Sequence, residues 1–380
     1  MSNTSETPEL SVILPCQNEE ETIGNSIKTI KKVLEEYSIF GEIIVSDSST
    51  DNSPNIAKNL GVTLIKHDKN GYGRAYLEGF KHAKGGYIFC ADPDGTYDFT
   101  EIPRFLSELK KGNDLVIGNR FGGEMSPQAM PILHKYIGTP ILSFLFRLFF
   151  KSRLYDINSG MRMFKTSILQ TLNLQTTGME FASEMIIKAI RNNLKILEIN
   201  IDYHSRVGTS KLKSFRDGWR HLRFMLLYSP IYLFLVPGAI LLWLGISSFI
   251  WLYLGNATVA GIPLFFHPLF VSSLLIMTGY QLIIFAIFAK TYAITHLDED
   301  GGVFNSLYKI ITLERGALIG LGIIILGALI FLGILYGWVE SGFGALREEG
   351  NSILALTLIV FGMQTISSSF MFSILGIEEK

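Results

Sequence analysis

The sequence lacks an excess of charge of either sign. Its 380 residues include 33 Lys and Arg against 34 Asp and Glu, so composition gives no sign of a nucleic-acid partner. The chain is also poor in cysteine, with only Cys16 and Cys90. Two cysteines in or just after predicted core strands give no zinc-binding pattern, so we expect two reduced, buried thiols.

A long central stretch lacks charged residues altogether. From Phe224 to Ala289 there is no Asp, Glu, Lys or Arg, a pattern that no water-facing segment of a soluble domain would sustain. At about 20 apolar residues per crossing, the carboxyl-terminal half predicts four transmembrane helices. They are Pro237 to Leu254, Pro268 to Ala289, Gly316 to Val339 and Ser352 to Gly376. The third contains Gly316-x-x-x-Gly320, a spacing that lets membrane helices approach closely.

The amino-terminal half lacks a secretory signal. Met1 to Leu10 is polar, and the first long apolar run begins beyond residue 220. Basic residues are frequent from Arg206 to Arg223 and again between Lys290 and Arg315, whereas the outer connections offer only Arg347. By the positive-inside rule we expect a multi-pass integral membrane protein with its amino-terminal domain and both termini in the cytoplasm.

The amino-terminal half alternates strands and helices. Strand-like runs at Ser11–Pro15, Glu42–Ser46, Val62–Lys66 and Gly86–Ala91 are separated by helical periodicity. This rhythm predicts a Rossmann-like α/β domain whose sheet is mostly parallel and covered on both faces. We place this domain at residues 1–215, a juxtamembrane amphipathic helix at 216–235 and the four membrane helices at 236–380.

Polar residues follow these strands where each one ends. The most informative are Asp92-Pro93-Asp94, directly after the apolar run Tyr87–Ala91. Because ligands of such sheets bind at the carboxyl ends of the strands, two carboxylates there suit a divalent cation and the phosphates of a substrate. An isolated Asp-x-Asp is also consistent with a solvated turn. Glu19 and Asp51, which follow other strands, are equally consistent with a helix-start acid and a helix N-cap.

Six motifs in a fixed order resemble one group of enzymes. They are Pro15-Cys16-Gln17-Asn18-Glu19, Asp47 with Asp51, Asp92-Pro93-Asp94, Gly118-Asn119-Arg120, Asp156 to Arg162, and Arg206 to Lys211. The chain resembles the inverting nucleotide-sugar transferases of the GT-A fold, and more narrowly the polyprenyl-phosphate glycosyltransferases, the dolichol-phosphate mannose and glucose synthase group. One departure is Ser48, where many relatives carry a second acid beside Asp47, so the identity of the nucleotide stays open.

The resemblance implies transfer of a sugar from a UDP- or GDP-linked donor to a polyprenyl or dolichyl phosphate, with inversion. It assigns Mg²⁺ or Mn²⁺ to Asp92 and Asp94, and catalytic roles to Asp94, Arg120 and Asp156. The donor contacts that it implies are Pro15, Gln17, Glu19, Asp47, Asp51, Gly71, Arg74, Asp92, Arg206 and Lys211. The acceptor-phosphate contacts that it implies are Arg120, His134 and Lys135.

Several of these residues have a second interpretation. Asp156 orients the acceptor or accepts its proton in one, and only forms an ion pair with Arg162 or another basic group in the other. The tract from Arg206 to Arg223 is also consistent with a collar on anionic lipid headgroups. Gly71-Tyr72-Gly73 permits close approach of a ligand, but a plain strand-to-helix turn explains it as well.

Two further features bear on the substrates. Glu180 and Glu184 share one helical face, and we expect it to line the sugar or acceptor pocket. Between Ser126 and Lys151 the chain is rich in Met, Leu, Phe and Pro but too short and too closely flanked by basic residues to span a membrane. We expect a helix lying on the bilayer, through which a lipid phosphate enters; the alternative is a core helix.

Two other functions stay open on the sequence alone. A processive polysaccharide synthase is expected to carry Gln-x-x-Arg-Trp near the membrane, whereas this chain has Arg216-Asp217-Gly218-Trp219-Arg220. A non-catalytic lipid-binding or flippase component would have kept a degenerate domain, which intact Asp92, Asp94, Arg120 and Arg206 argue against. The sequence does not determine the sugar, the polyprenol or the oligomeric state, and self-association stays open.

Overall fold

The chain forms two compact units. A computed structural model describes residues 7–68, 71–208, 214–255, 258–259, 261–296, 312–346 and 348–375. The units are Met1–Tyr228, an α/β domain, and Ser229–Lys380, a set of long helices.

The first unit alternates strands and helices along most of its length. Its strands are β1 (Leu10–Cys16), β2 (Gly41–Asp47), β3 (Thr63–Lys66), β4 (Tyr87–Cys90), β5 (Leu115–Asn119), β6 (Arg162–Lys165) and β7 (Ile196–Asn200). Its helices are α1 (Ile23–Glu36), α2 (Ser53–Asn59), α3 (Tyr72–Phe80), α4 (Ile102–Lys110), α5 (Thr139–Phe150), α6 (Ile168–Leu172), α7 (Phe181–Arg191) and α8 (Ser214–Leu227). A π-helical turn at His134–Gly138 precedes α5.

The seven strands form one sheet in the order β3-β2-β1-β4-β6-β5-β7. Every neighbouring pair is parallel except the two that involve β6, which runs antiparallel to β4 and β5. The prediction of a mostly parallel α/β sheet is therefore confirmed. The sequence analysis did not identify β6, because it is short and its partners are distant in the chain, with Phe164 opposite Ile88 and Leu115.

Successive residues of β1 pack on opposite faces of the sheet. Val12 and Leu14 contact a core that includes Phe105 of α4, whereas Ile13 contacts a second core that includes Phe181 of α7. A strand buried on both faces reads as a continuous apolar run, and polar residues begin only where the run ends. This arrangement brings the polar strand ends to one edge of the sheet.

Both cysteines lie in the cores of this domain. Cys16 and Cys90 are buried and free, as the sequence predicts. Burial raises the pKa of the Cys16 thiol to about 12, so this group stays protonated and unreactive near neutral pH.

The described residues of the second unit form four long apolar helices. They are α9 (Val236–Leu254), α10 (His267–His296), α11 (Leu313–Glu340) and α12 (Glu349–Leu375). With the π-helical turn before α9, the segments that are long and apolar enough to cross a membrane are Ile231–Leu254, His267–Thr295, Leu313–Glu340 and Glu349–Leu375. The prediction of four transmembrane helices is confirmed.

Small and hydroxyl-bearing residues join these helices. Gly316 and Gly320 of α11 are buried against α12, and a Cβ atom on Gly320 would lie 2.7 Å from the carbonyl oxygen of Gly362. The hydroxyl groups of Ser273 and Thr357, 2.6 Å apart, link α10 to α12. Because lipid offers no hydrophobic drive for association, such close backbone contact and interhelical hydrogen bonds stabilise the unit.

We expect Gly320→Leu to destabilise the helical unit, because the new side chain has no room beside Gly362. Overpacking of this kind costs about 1 to 3 kcal/mol, which thermal unfolding in detergent would show as a lower Tm. Gly322→Leu is the matched control in the same helix, since a Cβ atom on Gly322 meets nothing within 4 Å among the described residues. Equal Tm values for the two variants would contradict the close approach of α11 and α12.

Candidate active site

Asp92 and Asp94 follow β4, at the side of the sheet where the parallel strands have their carboxyl ends. Asp94 is 3% exposed, and its Oδ1 accepts hydrogen bonds from the backbone N–H of Thr96 at 3.1 Å and from the Thr96 hydroxyl at 2.5 Å. Gly95 between them has φ +83°, a left-handed conformation that favours glycine. The Asp-Gly-Thr sequence therefore forms a tight turn that fixes one oxygen of Asp94 and leaves the other for a partner.

That partner is Arg206. Its Nη2 lies 2.9 Å from Asp94 Oδ2 and 3.5 Å from Glu19 Oε1. The position is set by the backbone, because Val207 N–H donates to the carbonyl of Asp94 at 3.2 Å and His204 N–H donates to that of Thr96 at 3.0 Å. Two predicted donor contacts, Glu19 and Arg206, and the predicted metal ligand Asp94 are thus brought together from distant motifs.

Asp92 is surrounded by two tyrosines and a glycine. A Cβ atom on Gly160 would lie 3.0 Å from Asp92 Oδ2, 2.9 Å from the Tyr72 hydroxyl and 3.2 Å from the Tyr97 hydroxyl. Gly160 N–H donates to that Tyr97 hydroxyl at 2.7 Å, and a hydrogen bond from Tyr72 favours the ionised form of Asp92. A larger residue at position 160 would therefore crowd these three groups. The sequence analysis did not single out Tyr97, whose place beside the Asp-x-Asp motif is the one signal it offers.

The charges of this cluster are unbalanced. Burial of the Asp92 carboxylate, with smaller contributions from neighbouring Asp94 and Glu19, raises its pKa to about 7, while Arg206 opposes the shift. Part of the surface of Asp92 is nevertheless exposed to solvent. A cation beside Asp92 and Asp94 would reduce the repulsion between their negative charges. The donor set therefore fits a divalent ion.

The ion that fits is one with few protein ligands. Among the described residues, no group of three or more His, Cys, Asp and Glu side chains is arranged to hold a metal. Mg²⁺ characteristically binds through one or two carboxylates and completes its shell with water and substrate phosphates. Two aspartates at an open sheet edge match that mode of binding.

Hydrogen bonds join the loop that follows β1 to the loop that follows β2. Asn18 Oδ1 accepts from Thr50 N–H at 2.8 Å, and Asn18 N–H donates to the Ser49 hydroxyl at 2.7 Å. Asp51 accepts from Ser53 N–H at 3.0 Å and Glu20 N–H at 3.1 Å, so the fold uses its carboxylate. It is not the N-cap of α2, because Asn52 holds that position. Pro15 and Gln17 lie on the same strand end.

Asp47 is fully buried at the end of β2. Its Oδ1 accepts from Ser49 N–H at 3.3 Å, and its Oδ2 has no hydrogen-bond partner among the described residues. It stands as a candidate donor contact whose second oxygen is not used by the fold.

Gly71 and Gly73 allow a second loop to approach. Gly71 has φ +143° and a Cβ atom there would clash with the carbonyl of Thr177. Gly73 N–H donates to the carbonyl of Gly178 at 3.2 Å, and Arg74 N–H donates to that of Thr177 at 3.2 Å. The two glycines thus allow the backbone of the Thr177–Gly178 loop to pack closely. The side chain of Arg74 forms an ion pair with Glu78 at 3.8 Å.

Glu184 braces that same loop. It is 1% exposed and accepts hydrogen bonds from the N–H groups of Gln175 and Thr176, each at 2.9 Å. Lys188 lies 2.8 Å away and offsets its charge. Glu184 is therefore occupied by the fold, whereas Glu180 is not bound in this way.

Arg120 and Asp156 bind each other. Arg120 Nε and Nη2 donate to the two Asp156 oxygens at 2.7 and 2.8 Å, and the Arg120 N–H adds a bond at 3.1 Å. Both residues are buried, and the guanidinium lies 5.1 Å from the centre of the Tyr203 ring. The geometry favours the ion-pair interpretation of Asp156, with Arg120 as its partner. Arg162 instead donates to the carbonyls of Ile157, Ser159 and Ala182.

The residues predicted to meet the acceptor lie in the turn before α5. His134 and Lys135 are half-buried within His134–Gly138, and Lys135 Nζ lies 5.6 Å from the centre of the Tyr136 ring. Among the described residues no hydrogen bond or ion pair joins them to Arg120. Lys211 falls outside the described residues.

An apolar strip runs along this turn and α5. It consists of Ile132, Leu133, Tyr136, Ile137, Ile141, Phe144 and Leu148, all between 45% and 78% exposed. On the other side of α5, Phe146 is fully buried in the core. The segment thus has features of both a core helix and a helix that lies on the bilayer. One face packs in the core, and the other exposes large apolar side chains.

An α/β domain with an acidic pair at the sheet edge, joined to four membrane-capable helices, is the architecture of a membrane-bound sugar transferase. Residues 11–172 match the model for glycosyl transferase family 2, and residues 287–376 match that for the family 2 C-terminal transmembrane region. The chain is 40% identical over 371 residues to the low-salt glycan biosynthesis hexosyltransferase Agl6 of Haloferax volcanii, covering 97% of this chain and 89% of the relative. The chain belongs to glycosyltransferase family 2 and is an integral membrane glycosyltransferase.

Other matches cover the first unit. The dolichyl-phosphate hexose transferase of Haloferax volcanii is 27% identical over 211 residues, 55% of this chain and 89% of the relative. A solved structure of glucosyl-3-phosphoglycerate synthase from Mycobacterium tuberculosis, with Mn²⁺, UDP-glucose and phosphoglyceric acid, aligns with a TM-score of 0.49 and 19% identity over 58% of this chain and 80% of that chain. The family and enzyme class inferred from the sequence are confirmed by the family matches and the long relative.

We expect Asp156→Asn to destabilise the α/β domain. Removing one partner of a buried ion pair leaves the other charge uncompensated, which costs about 3 to 5 kcal/mol. Denaturant unfolding of the full chain, followed by circular dichroism, measures the loss. Glu101→Gln, which breaks an exposed pair with Arg104 at 3.0 Å, is the control and should cost less than about 1 kcal/mol. Unchanged stability together with lost activity would instead make Asp156 a catalytic group.

Proposed function

We propose that this enzyme transfers a sugar from a nucleoside diphosphate sugar to the phosphate of a polyprenyl lipid, with inversion. The observation that carries the proposal is the sheet-edge cluster in which Arg206 meets Asp94 and Glu19 beside Asp92. The 27% identity of the first unit to a dolichyl-phosphate hexose transferase supports the choice of acceptor.

The acidic pair and Arg206 suit a diphosphate leaving group. Asp92 and Asp94 would hold a divalent cation, Mg²⁺ or Mn²⁺, which would offset the negative charge that develops as the diphosphate departs. Arg206 supplies a fixed positive charge at the same edge, and its planar guanidinium suits bidentate binding of phosphate. Asp47, with its unused buried oxygen, is a proposed contact to the base or ribose.

The acceptor needs positioning more than activation. A phosphate monoester carries roughly 1.5 to 2 negative charges at pH 7, so its oxygen attacks the anomeric carbon without a strong base while the bond to the diphosphate breaks. Both Asp156 oxygens accept hydrogen bonds from the Arg120 guanidinium. In this proposal Asp156 holds Arg120, whose charge favours an anionic acceptor, and His134 and Lys135 contact the lipid phosphate.

The apolar strip is the proposed contact with the bilayer. Its exposed side chains would enter the interface between headgroups and acyl chains, next to the turn that carries His134 and Lys135. A lipid phosphate would then reach the enzyme without leaving the membrane plane. The distribution of Lys and Arg supports a cytoplasmic α/β domain and cytoplasmic termini.

We expect Asp94→Asn to lower turnover by on the order of a hundredfold or more, because it removes a charge from the cation-binding pair. The assay is release of nucleotide from the sugar donor in the presence of polyprenyl phosphate. Asp68→Asn, which alters an exposed carboxylate, should behave as the unchanged enzyme. Near-normal turnover of Asp94→Asn in the presence of a chelator would contradict the metal assignment.

The same assay tests the choice of acceptor. We expect nucleotide release from UDP-glucose or GDP-mannose to require polyprenyl phosphate. Release without the lipid, accompanied by a growing polymer, would identify a processive synthase. Absence of release with every donor and lipid tested would indicate a non-catalytic component.

Acidic substitutions in the apolar strip should separate membrane access from catalysis. We expect Phe144→Asp to lower transfer to long-chain polyprenyl phosphate in liposomes several-fold, because burying a side chain of this size contributes about 1.5 to 3 kcal/mol. Transfer to a short, water-soluble prenyl phosphate should change little. Phe40→Asp is matched for exposure, at 54% against 56% for Phe144, and should affect neither acceptor. Equal loss with both acceptors would argue against a membrane contact.

A further inference from the structure

Two side chains near the site end in oxygen atoms that the fold does not use. Asn158 Oδ1 and Glu180 Oε2 are buried, and none of the described residues donates a hydrogen bond to either. The hydroxyl of Ser159, next to Asn158, shares this property. A buried acceptor without a partner costs about 1 to 3 kcal/mol, so three such atoms on two neighbouring loops call for an explanation.

Both loops adjoin Asp92. On one side, Asn158 and Ser159 lead into Gly160, where a Cβ atom would lie 3.0 Å from Asp92 Oδ2. On the other side, the loop that ends at Glu180 is bonded to α3 through Gly73 N–H and the carbonyl of Gly178 at 3.2 Å. The hydroxyl of neighbouring Tyr72 lies close to Asp92, since both would meet a Cβ atom on Gly160, at 2.9 and 3.0 Å.

Arg162 holds the two loops together. Its Nε donates to the carbonyl of Ser159 at 2.9 Å, and its Nη1 donates to the carbonyl of Ala182, just after Glu180, at 2.7 Å. Its Nη2 donates to the carbonyl of Ile157 at 2.9 Å. A buried guanidinium that joins three carbonyls fixes the backbone on both sides of the crevice, so Asn158 and Glu180 are presented by a rigid frame.

The surroundings of Glu180 argue against a structural role for its carboxylate. Glu184, one turn later, accepts two backbone hydrogen bonds and pairs with Lys188. Among the described residues, no Lys, Arg or His forms an ion pair with Glu180. Asn158 and Glu180 are also partly exposed as residues.

We propose that Asn158 and Glu180 bind hydroxyl groups of the transferred sugar and so determine which sugar is accepted. A carboxylate is an acceptor for hydroxyl donors, and an amide both accepts and donates. With the diphosphate at Asp92, Asp94 and Arg206, the sugar is the next group of the donor, and Asn158 and Glu180 belong to the two loops that adjoin Asp92. The inference rests on the proposed function only in requiring a nucleoside diphosphate sugar as donor.

The test compares binding of nucleotides with and without the sugar. Calorimetry on the full chain in detergent, with Mn²⁺ present, measures the dissociation constants of UDP, GDP, UDP-glucose and GDP-mannose for Glu180→Gln and Asn158→Ala. We expect the bare nucleotides to bind each variant as they bind the unchanged enzyme. The accepted sugar nucleotide should bind Glu180→Gln on the order of tenfold more weakly, the loss of one charge-assisted hydrogen bond. Glu35→Gln, on the exposed side of α1, is the control.

Deoxy donors identify the hydroxyl. If Glu180 contacts one hydroxyl, the donor that lacks it should bind the unchanged enzyme and Glu180→Gln equally, whereas the other deoxy donors should still distinguish them. A purely structural role would weaken every ligand alike, bare nucleotides included, and that result would overturn the proposal. If Glu180→Gln has a lowered Tm, Asn158→Ala alone decides, because Asn158 Oδ1 accepts no hydrogen bond from the described residues.

The outcome for the sugar site is separable from that for the acceptor. Donor binding is measured without lipid, so a sugar-dependent loss in Glu180→Gln stands even if polyprenyl phosphate proves not to be the acceptor. Conversely, lipid-dependent transfer with unaltered sugar preference and unaltered donor binding in both variants would keep the proposed function and overturn the assignment of Asn158 and Glu180.

Discussion

Repulsion among carboxylates at one sheet edge is the constraint on which the site depends. Asp92, Asp94 and Glu19 converge there, and one guanidinium, that of Arg206, lies within 2.9 Å of Asp94 and 3.5 Å of Glu19. One positive charge does not balance three negative ones. Burial of the Asp92 carboxylate is the main cause that raises its pKa to about 7, and the neighbouring carboxylates of Asp94 and Glu19 add to the shift. The cluster is therefore suited to bind a cation. Hydrogen bonds from the backbone N–H groups of Thr96 and Val207 to Asp94 fix its geometry.

The loops around this cluster are fixed by buried charges that serve the backbone. Arg162 bonds three carbonyls, Glu184 bonds two N–H groups, and the Arg120–Asp156 pair joins the end of β5 to the loop before β6. Each charge is desolvated, so each would be costly without its partners. The consequence is a set of fixed loops, and three of the side chains that have an unsatisfied buried oxygen, Asp47, Asn158 and Glu180, are ones we assign to ligands.

The two units place different demands on the same chain. In the α/β domain, large apolar side chains form cores on both faces of the sheet, and polar groups are confined to strand ends and loops. In the helical unit, Gly320 and Gly362 meet backbone to backbone and hydroxyl pairs link α10 to α12. Water drives the first kind of association and not the second. The apolar strip on α5 is the exception, because it is an exposed apolar surface in a domain otherwise built for water.

The sequence by itself determined the features that depend on local pattern and composition. Charge-free runs long enough to cross a bilayer identified the four membrane helices, alternating strands and helices identified the parallel sheet, and ordered motifs identified the family. Tertiary structure alone decided the partners. Whether Asp156 faces Arg120 or Arg162, whether Glu184 or Glu180 is free for a ligand, and where Arg206 meets Asp94 all depend on contacts between residues far apart in the chain. The antiparallel pairing of β6 and the position of the tyrosines around Gly160 were also decided by tertiary structure. No local periodicity encodes which distant strand or loop a short segment will contact.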